Sequence, residues 1–325
     1  MTMPPSLFIQ VRTGTKPAET YRQAIEAAVA AERLGFGTIW FATRHFAAHH
    51  AALPTVFPLL AAVAQHTSRI RLGSGVVALP FENPVRLVED AAVTDELSGG
   101  RLELGVGKGL GFGLSATTYA GFGLAQDDRE SLYASRLATL HSLLEEGTVA
   151  PGIPIHPDPT SLRHRVWQST GNTRTARRVA RAGDGLLPHP NSEAGKDGDA
   201  HRLVDAYLAD LGSGVPRIGS TVALVPGGTD DDARAIFDAD VTLSPDYYGG
   251  KLGGGADAYR RGLSIHCASA DRLVAEILGS PVPAATTDWL FHVPLALHHP
   301  RYTECLERIA TDIVPHLRSL EPAHS

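Results

Sequence analysis

Residues 70–107 read IRLGSGVVALPFENPVRLVEDAAVTDELSGGRLELGVG. The run from Ile70 to Leu79 is apolar and rich in β-branched residues, which predicts a buried strand. Asn83 followed by Pro84 supplies an N-cap and a first-turn residue for a helix reaching Leu97, and Ser98, Gly99 and Gly100 end it. A second strand, Leu102 to Gly107, follows at once. Strand, helix and strand in succession form a unit that pairs its strands in parallel.

The same alternation extends in both directions. Toward the N-terminus, Leu7 to Val11 predicts a strand, Pro17 to Leu34 a helix closed by Gly35, Thr38 to Ala42 a strand and Pro54 to His66 a helix. Toward the C-terminus come a helix from Asp127 to Glu146, strands at Val166–Gln168 and Gly185–Leu187, and helices at Thr173–Ala182 and His201–Leu211. Ile218–Val225 with Asp230–Ala239 makes a seventh pair, Ala270–Leu278 an extra helix, Asp288–Val293 an eighth strand and Tyr302–Arg318 a closing helix. Two stretches break the pattern: 147–164, rich in Pro and His, and 241–264, which contains Ser244-Pro245 and Gly253-Gly254-Gly255 and reads as mobile. No glycine-rich dinucleotide turn follows the first strand and no change of composition divides the chain. The expected fold is therefore one α/β domain, a (β/α)8 TIM barrel over 1–325 with insertions after strands 4 and 7.

Composition narrows the partners. Of 325 residues, 43% are hydrophobic and 20% charged, a mixture that buries a large core. No segment approaches the roughly 20 apolar residues of a membrane helix, and Met1 to Ser6 lacks a secretion signal, so a cytoplasmic location is expected. Cys267 and Cys305 stand alone, without metal or disulfide spacing. The formal charge is -6 and no basic cluster interleaves with aromatic residues, which argues against nucleic acid and favours a small-molecule partner.

In such a barrel chemistry gathers where strands end and helices begin. Arg44 and His45 lie just beyond the second strand; the imidazole can move a proton near neutral pH or merely cap a loop, and the guanidinium can hold an anion. His45, His49 and His50 have no acidic neighbour, so no metal site is assigned. Ser74 and Gly75 lie in a strand whose glycines suit the close approach of a flat ligand, or simply tight packing. Lys108, in Gly105-Val106-Gly107-Lys108-Gly109-Leu110, fits neither a dinucleotide nor a P-loop spacing, and reads as a free-standing cation able to meet a phosphate or to sit in solvent. Gly171-Asn172-Thr173-Arg174-Thr175 opens a helix and offers amides and hydroxyls to an anion, although capping by Asn172 or Thr173 explains much of it.

Taken together, Arg44-His45-Phe46, the run Thr67 to Val77, Asn83-Pro84-Val85-Arg86, Leu97-Ser98-Gly99-Gly100-Arg101-Leu102 and Ala310-Thr311-Asp312-Ile313-Val314-Pro315 resemble the bacterial-luciferase-like flavin monooxygenases. The resemblance implies that Ser74-Gly75 lies against the isoalloxazine at a strained peptide bond. It implies that Lys108, Asn172, Thr173 and Thr175 receive the FMN phosphate, with Gly171, Arg174 and the Leu110 backbone close by. It also implies reduced FMN supplied by a separate flavin reductase, O2 adding at C4a, and oxidation of a small organic substrate, with His45 hydrogen-bonding the peroxide and Arg44 stabilising negative charge. Tyr247 and Tyr248 would belong to a lid or substrate wall, and the barrel would be a homodimer packed through Pro54–Ala64 and Val85–Val93. Thr43-Arg44-His45-Phe46 departs from the family's Glu-His-His-Phe, placing Arg44 where luciferases carry their catalytic histidine. A deazaflavin-dependent oxidoreductase and a non-catalytic flavin-binding protein are the alternatives.

Overall fold

A computed structural model describes residues 4–12, 14, 16–47, 52–109, 115–189, 198–249, 252, 254–279 and 285–318. Leu110, His49, His50 and Gly253 lie outside the described residues. The first half runs β1 (Ser6–Ile9), α1 (Pro17–Arg33), β2 (Thr38–Phe41), α2 (Phe57–Ala64), β3 (Arg71–Ser74), β4 (Val77–Ala78), α3 (Pro84–Ser98), β5 (Leu102–Gly107), α4 (Ser115–Gly121) and α5 (Arg129–Glu146). It continues with β6 (Thr148–Ala150), β7 (Ile153–Pro154), β8 (Val166–Thr170), α6 (Thr173–Arg181), β9 (Gly185–Pro188), α7 (Gly198–Asp210), β10 (Gly219–Gly227) and α8 (Asp230–Leu243). The last part is α9 (Pro245–Tyr248), α10 (Gly255–Gly262), β11 (His266–Ser269), α11 (Ala270–Gly279), β12 (Asp288–His292), α12 (Tyr302–Arg308), a π-helical turn at Ile309–Ile313 and α13 (Val314–Arg318).

The parallel sheet runs β11-β10-β12-β1-β2-β3-β5-β8-β9, with β4 on β5. This is the TIM-barrel order, with β11 an added outer strand on β10. Between β9 and β10 the ladder is reduced to one parallel bridge, Leu186 to Ile218, where the Leu186 amide donates to the Arg217 carbonyl at 2.8 Å.

Local chemistry accounts for most boundaries. The Asn83 side chain accepts from the amides of Val85 and Arg86, and Gly99 closes α3 in the left-handed region at φ 68°. The arginine that follows is structural: Arg101 donates to the carbonyls of Ser98, Ile70, Ala64 and Thr67 and to the Thr67 hydroxyl, tying the ends of α2 and α3 to the start of β3. Glu32 does similar work, accepting from the amides of Ser68, Arg69 and Ile70, which holds its carboxylate below the ordinary range despite the opposing effect of burial.

Several sequence expectations need correction. The strand expected from Ile70 to Leu79 is two pieces, because the chain turns at Gly75–Val76, a cis peptide, and Leu79–Phe81 coils into a 3₁₀ turn. The helix expected from Pro54 begins only at Phe57, with Pro58 in its first turn. The stretch 147–164 holds the β6–β7 hairpin and the start of a 3₁₀ segment, and the described part of 241–264 carries the end of α8, α9 and α10. In it Tyr247 and Tyr248 are buried, anchored by Arg12: the guanidinium lies 3.9 Å from the Tyr247 ring centre and donates to Asp240, which also accepts from the Tyr248 hydroxyl at 2.8 Å. Neither tyrosine lines the cavity described below.

The main core lies between sheet and helices, while a second cluster, Trp40, Trp167, Leu187 and Leu290, fills the barrel interior. The two indoles meet edge to face with centres 5.6 Å apart. Room for them comes from glycine: a Cβ on Gly73 would overlap the Trp40 ring, and one on Gly185 the Trp167 ring. The indoles plug the lower barrel, so a ligand can enter only from the end at which the strands finish.

Candidate functional site

At that end lies a cavity of about 440 Å3, within the usual size range for a cofactor or small-molecule site. Its rim comes from the turns after β2, β5, β8 and β9, its wall from Gly75 and Val76, and its floor from Phe8, Trp40, Thr221 and Leu290. Arg129 and Glu130, from the start of α5, reach it from the side.

One pole is suited to an anion. Asn172 caps α6, its Oδ1 accepting from the Thr175 amide at 3.2 Å, which leaves the first-turn amides of Thr173 and Arg174 without intrahelical acceptors. The Lys108 ammonium stands 3.3 Å from the Thr175 hydroxyl, so β5 and α6 bring these groups together. Lys108, Gly171 and Asn172 line the cavity; Thr173 and Arg174 are exposed just outside it, and Thr175 is buried behind Lys108. Lys108 is not the free-standing cation the sequence suggested, because both oxygens of Glu130 accept from it, at 2.7 and 2.8 Å. Glu130 arrives from the first turn of α5, 22 residues along the chain, which no local motif could announce.

The wall is set by small residues. Ser74 is buried and does not line the cavity; its hydroxyl donates to the Gly105 carbonyl at 2.9 Å and accepts from the Gly105 amide at 2.8 Å, lashing β3 to β5. Gly75 does line it. A Cβ there would sit 3.0 Å from the Phe8 ring, and one on Gly107 2.8 Å from Val76, so a flat cradle depends on both glycines.

Of the pair after β2, Arg44 lines the cavity and His45 does not. The His45 ring packs edge-on against Phe81 and Phe122, with centres 5.5 and 4.9 Å away, and burial lowers its pKa. His189, just past β9, does line the cavity. It is exposed to water inside the concavity, yet burial, joined by the charge of Arg44, holds its imidazole below the ordinary value. Sequence reading passed over His189, although its place directly after a strand was the available signal. Among the described residues no cluster of three or more His, Cys, Asp or Glu could hold a metal, and no helix is long and apolar enough to cross a membrane.

Comparison with known proteins places these observations. The family model described as luciferase-like monooxygenase matches residues 3–271. The uncharacterized protein y4vJ of Sinorhizobium fredii is 31% identical over 179 residues, 52% of this chain and 50% of that protein, so the chain spans half the length of this relative. The 4-hydroxyprotoasukamycin monooxygenase of Streptomyces nodosus subsp. asukaensis is 30% identical over 258 residues, covering 78% and 61% of the two chains. Among solved structures, the monooxygenase RslO1 of Streptomyces bottropensis superposes with a TM-score of 0.78 at 18% identity over 98% of this chain and all of that one. The oxygenating constituent of 3,6-diketocamphane monooxygenase of Pseudomonas putida, solved with FMN, gives 0.71 at 16% identity over 97% and 99%. An F420-dependent secondary alcohol dehydrogenase gives 0.67 at 15% identity over 98% and 100%; these structural likenesses concern the fold.

Proposed function

The chain belongs to the luciferase-like monooxygenase family, and from that premise we propose that it is a flavin-dependent monooxygenase that uses reduced FMN and O2 to oxidise a small organic substrate. The observation that carries this reading is the convergence of Lys108, the α6 N-terminus and the Gly75–Gly107 cradle on one cavity above the plugged barrel. The residues present fit FMN. Lys108, Asn172, Thr175 and the Thr173 and Arg174 amides suit its phosphate, with Gly171 alongside, while Gly75 and Gly107 admit a flat ring. Reduced flavin, when bound, supplies the electrons that activate O2.

The chain's own groups position and exclude. Phe8, Trp40, Leu187 and Leu290 keep water from the deep end of the cavity, strengthening electrostatic effects inside it. Arg44 presents a fixed positive charge to the cavity. His45, held by Phe81 and Phe122, steadies the loop that carries Arg44. Glu130 keeps Lys108 extended toward the α6 N-terminus until a phosphate shares the ammonium. A separate flavin reductase would deliver the reduced cofactor.

Lys108→Met is expected to weaken FMN binding by about 30- to 100-fold, the worth of one charge-assisted contact. Fluorescence quenching of FMN on titration with the chain measures it. Tight binding of F420 with indifference to FMN would overturn the cofactor assignment in favour of the deazaflavin alternative. Indifference to every flavin would remove the function altogether.

We also propose a homodimer packed through α2 and α3. Val93 and Leu97, one turn apart on α3, are 46% and 51% exposed, an apolar pair that suits a partner surface. Sedimentation should give a dimer, and Val93→Glu with Leu97→Glu a monomer; an unaltered dimer in that variant would place the interface elsewhere.

A further inference from the structure

We propose that Arg44 and His189 form a head-group subsite for a carboxylate, so that the substrate is an organic acid whose apolar body lies against Phe8, Trp40, Leu187 and Leu290. This rests on the flavin reading, since the molecule described is the one oxidised there.

Charge within the cavity points this way. Three cations line it, Arg44, Lys108 and Arg129, against one carboxylate, Glu130. Lys108 and Arg129 both reach that carboxylate, at 2.7 and 3.8 Å. Among the described residues no acid pairs with Arg44, and its guanidinium is exposed within the concavity. A cavity-lining cation that no described acid neutralises is suited to recognise an anion, and the planar guanidinium fork matches a carboxylate in two parallel hydrogen bonds.

Topology fixes where these groups stand on the rim. Arg44 follows β2 and His189 follows β9, and the sheet path between them runs through β3, β5 and β8. In a ring of eight that puts them on opposite sides, yet both line one cavity and the charge of Arg44 is felt at the His189 imidazole. Lys108 follows β5 and Asn172 follows β8, on the arc between, so Arg44 stands apart from the phosphate pole while His189, whose amide donates to the Thr170 carbonyl at 2.9 Å, flanks it. The His189 imidazole, on the same cavity, adds an N–H donor to the anion site. Below them the apolar floor rewards a hydrocarbon or aromatic body and offers no further charge to meet.

The test uses matched probes, 2-naphthoate and 2-naphthamide, titrated calorimetrically into the full chain with and without FMN. The wild type should prefer the carboxylate by about tenfold or more, as one bidentate charged contact allows. Arg44→Met should abolish the preference and Arg44→Lys restore part of it, His189→Gln should reduce it, and FMN affinity should stay within about twofold in both Arg44 variants because that side chain lies off the phosphate pole. Equal affinity for both probes in the wild type, or a preference that survives Arg44→Met, would overturn the subsite. So would a preference lost in Lys108→Met instead, which would put the carboxylate on the phosphate pole. FMN binding without carboxylate preference defeats this inference alone; carboxylate preference in a chain that binds no flavin defeats the functional reading and leaves the subsite standing.

Discussion

Replacing Gly105 by alanine is expected to cost more than about 3 kcal/mol and to leave little folded protein at physiological temperature. The added Cβ would fall inside the Ser74 carbonyl oxygen and 3.2 Å from the Trp40 ring. Neither neighbour can retreat. Ser74 is held to Gly105 itself by two hydrogen bonds, and Trp40 is fully buried against Trp167. Admitting one methyl therefore requires β3 and β5 to part, in a barrel whose ladder is already thin between β9 and β10. Gly262→Ala is the control: nothing lies within 4 Å of its added Cβ, and its melting temperature should stay near that of the wild type. Thermal melts followed by circular dichroism decide the matter, and an unchanged melt for Gly105→Ala would mean that the interior is not packed as described.

The second large effect depends on pH. Asp288 opens β12 at the closed end of the barrel, where its Oδ2 accepts from Ser6 at 2.9 Å and its Oδ1 has no partner among the described residues. Burial, opposed by the Ser6 hydrogen bond and reinforced by the charge of Glu103, pushes its carboxyl from 3.8 up to about 7. The folded state therefore holds its proton more tightly than the unfolded chain does. Its contribution to stability is fully present below pH 3.8, declines as pH rises, and is lost once pH passes 7. At pH 8 the buried carboxylate costs up to about 4 kcal/mol, the equivalent of some three pKa units. Asp288→Asn keeps an acceptor for Ser6 and removes the ionisation. Its unfolding free energy, from urea titrations, should exceed that of the wild type at pH 8, with the margin shrinking steadily toward pH 5. A margin that does not vary with pH would show that Asp288 is not the group being titrated.

The repeating elements were legible because periodicity and caps act locally. Asn83, Pro84 and Gly99 bound α3 in the structure as they do in the sequence, and Leu102–Gly107 is a strand to the residue. The third strand was misread because Ser74-Gly75-Val76-Val77 is apolar throughout, and nothing in that pattern shows the chain turning at Gly75. The hairpin at 148–154, α4 and β11 escaped for a different reason: each is short and is stabilised by what it packs against, β11 by its ladder to β10.

The site was legible as a set of segments and illegible as a set of contacts. Placing chemistry after the strand ends selected the turns carrying Arg44, Lys108 and Asn172, and the barrel brings these turns to one cavity. Adjacency in sequence could not tell Arg44, which faces the cavity, from His45, which packs against Phe81 and Phe122.

Sequence alone determined the α/β alternation and the cap at Asn83, because these depend on backbone propensities and local hydrogen bonds. Tertiary structure alone decided that Glu130 meets Lys108, that Ser74 serves the sheet and not the cavity, and that Arg44 and His189 share one mouth. Those pairings join residues 22, 31 and 145 positions apart, counting Lys108 to Glu130, Ser74 to Gly105 and Arg44 to His189 along the chain. Side-chain direction on a curved barrel is fixed by strand register and packing, and neither is written in the order of neighbouring residues.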